Sequence, residues 1–138
     1  MRALILHTEE PKTIKWANAL RDALATHNCK VDLVVAKENH STPIGTSQYR
    51  LIIMLSNFSG LFKPKLPNAV DDALKQCSRV QGKRGAAFLP AKLGSTKALK
   101  NLMEKMEQQG IFVEDFGAIR NQVQVEKIAE RLMNLLNP

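Results

Sequence analysis

Cysteine, tryptophan and tyrosine are scarce in this 138-residue chain, which holds two, one and one of them. Cys29 and Cys77 lie far apart and outside any C-x-x-C pattern. That excludes a disulfide-stapled scaffold or a zinc ribbon and predicts two reduced, buried thiols. His7, His27 and His40 are equally scattered, so no metal site is expected. No apolar run reaches the ~18–20 residues of a membrane span, so no membrane is expected as a partner. The apolar opening ends at His7, with Glu9 and Glu10 following, and reads as a buried first strand rather than an export signal. The expected location is the cytoplasm. The formal net charge of +7 comes without a basic run, an aromatic-basic RNA motif or a helix-turn-helix pattern. The basic residues read as solvated helix faces spread along the chain, and no nucleic-acid partner is expected.

What is present is an alternation of short apolar runs with amphipathic segments, the pattern of βα units. Residues 2–7 suit a strand buried on both faces. A helix over 12–27 carries Ile14, Ala17, Leu20 and Leu24 on one stripe, with Trp16 beside it as a packing residue. Residues 31–35 form the second strand, 37–48 a loop or a poorly formed short helix, and 49–55 the strongest strand in the chain. Residues 56–67 are loop-like, and a helix follows over 67–79, with Pro67 near its first turn. A short strand over 85–89 ends at Pro90, and a helix spans 97–109 with Gly110 as its cap. Ile111-Phe112-Val113 starts the last strand, and a helix over 125–136 closes the pattern. With no linker or repeat, residues 1–138 read as one domain. Crossovers of this length make the strands parallel. In such a sheet the ligand crevice lies beyond the strand carboxyl ends, which singles out three loops: 7–13, 56–63 and 90–96.

Together these segments resemble the flavodoxin-like family, including its flavin reductases, over nearly the whole chain. The resemblance implies an α/β three-layer sandwich, a five-stranded parallel sheet in the order 2-1-3-4-5, and flavin mononucleotide held by the three loops. The family's first loop usually reads Ser/Thr-x-Thr-Gly-Asn-Thr; here the matching stretch is Thr8-Glu9-Glu10-Pro11-Lys12-Thr13. The outer threonines match and the centre does not. Pro11 removes a backbone donor where a phosphate would sit. A carboxylate facing that phosphate would repel it by ~3 kcal/mol. The second loop, Ser56-Asn57-Phe58-Ser59-Gly60 with Leu66-Pro67 downstream, follows the pattern better. Gly60 would allow backbone approach to the flavin, and Phe58 or Phe62 would lie against its ring or fold into the core. The third loop, Pro90-Ala91-Lys92-Leu93-Gly94, is generic.

Two functions follow. The first is a redox domain, an electron carrier or flavin-dependent oxidoreductase, with no catalytic protein residue and an acidic redox partner suited to the basic surface. The second is a flavin-free interaction module that kept the fold and lost the cofactor. The first loop decides between them, according to whether it presents N–H groups to a void or fills that void with carboxylates or Pro11. A homodimer through lysine-rich faces and loop aromatics is compatible with either. A phosphorelay role, through Glu9 and Glu10 or a phosphorylated His7, lacks the Asp and Lys such domains need.

Overall fold

The computed structural model describes residues 1–137. Its elements are β1 (Arg2–His7), α1 (Pro11–Ala25), β2 (Lys30–Val35), β3 (Ile44–Gly45), β4 (Leu51–Leu55), α2 (Asn68–Gln76), β5 (Cys77–Ser78), β6 (Arg84–Pro90), α3 (Ser95–Gln108), β7 (Phe112–Ile119) and α4 (Gln122–Leu136). The main sheet runs β2-β1-β4-β6-β7, with every neighbouring pair parallel. The two-residue strands β3 and β5 pair only with each other. Setting them aside, the order is the expected 2-1-3-4-5.

Side-chain alternation along the central strands builds two cores. Leu4, Leu6, Ile52, Met54, Ala87 and Leu89 face α2 and α3. Ala3, Ile5, Leu51, Ile53, Ala86 and Phe88 face α1 and α4. The run Leu51–Leu55 is buried throughout, which is why β4 is continuously apolar: it has helices on both faces. Burying each large aliphatic side chain there contributes roughly 1.5–3 kcal/mol. Cys29 belongs to the second core, and burial raises its thiol pKa. Burial pushes the half-buried Cys77 thiol up to about 11. No helix among the described residues is long and apolar enough to cross a membrane.

Several boundaries differ from the sequence reading, each for a local reason. Helix α1 buries Thr13, Trp16, Ala17, Leu20 and Leu24, so Trp16 lies on the stripe and Ile14 falls off it, 39% exposed. Helix α2 stops at Gln76 because Cys77 and Ser78 pair with Ile44 and Gly45, inside a stretch expected to be loop. Helix α3 starts earlier than expected, at Ser95, with Gly94 as its N-cap at φ 90°. Helix α4 also starts earlier, at Gln122, because Asn121 and Gln124 form a capping box. Strand β7 continues to Ile119 through Glu114 and Asp115. It is an edge strand, where polar residues are tolerated and blunt pairing with other chains.

At the opposite edge, Asp32 of β2 accepts hydrogen bonds from Tyr49 Oη at 2.7 Å and Arg2 at 2.6 Å. The Tyr49 hydroxyl first, and Arg2 second, hold the Asp32 carboxyl below its ordinary pKa.

Candidate functional site

Strand β1 lies one place in from the sheet edge; the chain moves outward to β2, then returns past β1 to β4. That reversal opens a crevice between the carboxyl ends of β1 and β4. The loops after these two strands flank it. They are bonded to each other: Thr8 N–H donates to the Leu55 carbonyl at 3.1 Å, and Asn57 N–H to Thr8 Oγ1 at 3.4 Å.

The first loop turns inward. Glu10 is the N-cap of α1, with Pro11 the first helical residue. Pro11 has no N–H, so it adds no donor at the helix start. The Glu10 carboxylate accepts hydrogen bonds from the hydroxyls of Thr8 and Thr13, the latter at 3.1 Å. Both threonines are buried. A chain of bonds therefore runs from Asn57 N–H through Thr8 to Glu10 and on to Thr13. A negative group held at a helix N-terminus is favoured by the helix dipole. The Glu10 carboxylate lies beside that terminus, bonding the two hydroxyls and no helix N–H, while Glu9 and Lys12 face solvent.

The second loop is a tight excursion closed on itself. Ser59 and Lys65 pair through two backbone hydrogen bonds of 3.0 and 2.7 Å. Gly60 makes the turn at φ 94°, and a Cβ there would lie 2.7 Å from the Lys63 carbonyl oxygen. The turn itself therefore requires glycine. Ser56 and Phe58 are buried, and Phe58 joins the α2–α3 core. Leu61 and Phe62 point outward, 57% and 87% exposed.

The third loop is laced to the second. Lys92 Nζ donates to Asn57 Oδ1 at 3.0 Å and to the Phe58 carbonyl at 2.7 Å. It also sits 4.5 Å from the Phe58 ring centroid, a cation–π distance. Lys97 Nζ reaches the Phe62 carbonyl at 3.2 Å. A Cβ on Gly94 would meet the Gly60 and Leu61 carbonyl oxygens at 3.0 and 3.2 Å, so the loops touch directly. Pro90 and Ala91 continue the sheet, Ala91 N–H bonding the Ile119 carbonyl at 3.0 Å. Leu93 is left 75% exposed.

The cavity beside these loops measures about 320 Å³ and is lined by Glu10, Asn57, Phe58, Ser59 and Lys65–Asn68. That is the bottom of the roughly 300–1,000 Å³ range of ligand pockets. Lys65 and Asn68 were not among the residues expected here; the Ser59–Lys65 pairing folds them in. A larger cavity of about 690 Å³ lies beside β2, under the 37–45 segment, and involves none of the three loops.

The charge is also less even than the sequence reading expected. Residues 39–103 contain ten of the twenty basic residues but only two of the thirteen acids, Asp71 and Asp72. This segment builds the α2–α3 side of the sandwich and the second and third loops. Among the described residues, no cluster of His, Cys, Asp and Glu could hold a metal ion.

No protein-family model and no curated protein matches the sequence. Solved structures do match. Oxidised flavodoxin 1 from Bacillus cereus is 16% identical with a TM-score of 0.74, over 97% of this chain and 98% of that one. The chain has the flavodoxin fold. Two-electron reduced flavodoxin of Megasphaera elsdenii is 16% identical with a TM-score of 0.67, over 93% of this chain and 98% of that one. The rubredoxin oxygen:oxidoreductase of Desulfovibrio gigas matches at 18% identity and a TM-score of 0.66, over 99% of this chain but only 36% of that enzyme.

The fold implies flavin mononucleotide, and the residues present do not fit it as they stand. The threonine pair at the helix start already bonds Glu10, and the second and third loops are bonded to each other.

Proposed function

We propose that this chain is a binding module that keeps the flavodoxin fold and works without flavin mononucleotide. One observation carries the reading: the Glu10 carboxylate bonds Thr8 and Thr13 at the start of α1. A phosphate entering there would have to displace an anion tethered at effectively fixed distance, and then share the site with it. The joined second and third loops support the same reading. So does the small cavity they leave, about 320 Å³.

The alternative is an electron-transfer role with bound flavin and an acidic redox partner. It draws support from the fold neighbours described as oxidised and two-electron reduced flavodoxins. When bound, flavin would supply the redox chemistry. This chain's residues would hold it only after Glu10 had swung away and Lys92 had released the second loop.

A visible absorption spectrum of the purified protein, followed by a fluorescence titration with flavin mononucleotide, separates the two. The module reading expects a colourless protein and no saturable quenching. Flavin bands, or quenching that saturates at micromolar protein, would favour the electron-transfer reading.

A further inference from the structure

We infer that Leu61, Phe62 and Leu93 form the centre of a docking surface for an acidic protein segment that carries an apolar anchor. The inference rests on the module reading of the same loops. The three side chains are 57%, 87% and 75% exposed. The segments that carry them are brought together, because Gly94, next to Leu93, abuts the Leu61 carbonyl and Lys97 bonds the Phe62 carbonyl at 3.2 Å. An exposed aromatic on a loop held in place from two sides loses little freedom on binding, which favours an anchor role.

The surroundings specify the partner's charge. Lys63, Lys65, Lys92 and Lys97 lie within a few residues of the patch in sequence, and neither 56–67 nor 90–97 contains an acid. Among the described residues, none of these lysines pairs with a carboxylate. Lys92 and Lys97 bond carbonyl or amide oxygens instead, so their positive charge is unneutralised. A second copy would bring the same lysines against each other, and like charges in register cost affinity. An anionic bilayer would accept the lysines and Phe62. It would leave empty the 320 Å³ cavity at the base of the same loop, lined by Glu10, Asn57, Phe58, Ser59, Lys65 and Asn68. A polypeptide side chain fills such a hollow.

The test uses the full chain and fluorescein-labelled nonapeptides of Asp and Glu with a central Leu, Phe or Trp. The same peptides with a central Ser serve as controls. The apolar-centred peptides should bind at least about tenfold tighter than the controls. Phe62→Ser and Lys63→Glu should each weaken that binding about tenfold or more, whereas Phe112→Ser on the far edge strand should not. Phe62 is almost fully exposed, so its replacement leaves the fold intact, and a circular dichroism melt verifies this. The inference is overturned if no apolar-centred peptide binds below ~1 mM, or if binding ignores Phe62. It is equally overturned if the wild type sediments with phosphatidylserine vesicles through Phe62 while ignoring the peptides, or if Phe62 instead mediates self-association in analytical ultracentrifugation. Flavin content of the same samples keeps the two readings apart. A yellow protein that binds the peptides would sink only the flavin-free reading. A colourless protein that ignores them would sink only the docking surface.

Discussion

The first loop and the pair formed by the second and third loops stand at the same end of the same sheet, yet they dispose of their polar and apolar groups in opposite ways. The first is satisfied internally, since two buried hydroxyls and one carboxylate bond each other at the start of α1. The others spend their lysines on bracing backbone carbonyls and leave Leu61, Phe62 and Leu93 in water. In a ligand-holding arrangement both regions would point their groups into a shared crevice. Here the two threonine hydroxyls are taken up by Glu10 and the apolar surface is turned outward. The difference teaches that a crevice placed by topology can be retained as architecture while its two halves are put to separate uses.

The largest effect is expected from Gly60→Val. The residue sits at φ 94°, with the Lys63 carbonyl 2.7 Å from any added Cβ. The variant should lose about 2–3 kcal/mol in urea unfolding, through backbone strain and loss of the Ser59–Lys65 turn. The first loop should keep its native amide resonances, because none of its bonds passes through Gly60. Loss of both loops together would mean that they are one unit.

Glu10→Ala attacks the other side. It leaves the buried Thr8 and Thr13 hydroxyls without their acceptor, and should cost about 1–2 kcal/mol by the same assay. If stability instead rose, the carboxylate would be a strained occupant rather than a stabilising one. Lys92→Met keeps the stem of the side chain and removes the ammonium that ties the third loop to Asn57 and Phe58. A loss of about 1 kcal/mol is expected, with faster amide exchange at residues 58–63 and no change at residues 8–13.

The smallest effect belongs to the edge of the sheet, far from either region, and serves as a control. The folded Asp32 carboxyl lies below its ordinary pKa, chiefly through Tyr49 and then Arg2. A depressed carboxyl contributes stability above its unfolded pKa and loses it as pH falls through the folded value. Wild-type stability should therefore decline below about pH 4, and Asp32→Asn should flatten that decline without altering residues 8–13 or 56–63. An unchanged acid limb would mean the Tyr49–Asp32 bond is not formed in solution.

Much of the architecture was legible from residue pattern. Leu51–Leu55 announces a strand covered on both faces, and the spacing of apolar residues in α1 and α4 marks the helices that cover it. Strand β7 was seen only at its start, because an edge strand needs no apolar run and its Glu114 and Asp115 read as loop. The early start of α4 depends on Asn121 and Gln124 capping each other, a signal present in the sequence and passed over. At the site, Thr8 and Thr13 match a phosphate loop in sequence, and the carboxylate between them reads as a charge that repels a phosphate or fills its place. Its third possibility, accepting from both threonines, follows from their spacing around Glu10. The fates of Phe58 and Phe62 were not legible. Which ring enters the core is decided by the turn at Gly60 and the clamp from Lys92, both of which require the third loop in place.

Whether Glu10 keeps Thr8 and Thr13 from a phosphate can be read by nitrogen-15 NMR of the wild-type chain while flavin mononucleotide is added. With Glu10 in place, the amide resonances of Thr8, Glu9, Glu10, Lys12 and Thr13 should stay where they are up to millimolar flavin. Saturable shifts concentrated at Thr8, Lys12 and Thr13 would show the carboxylate giving way to phosphate, and would contradict that expectation.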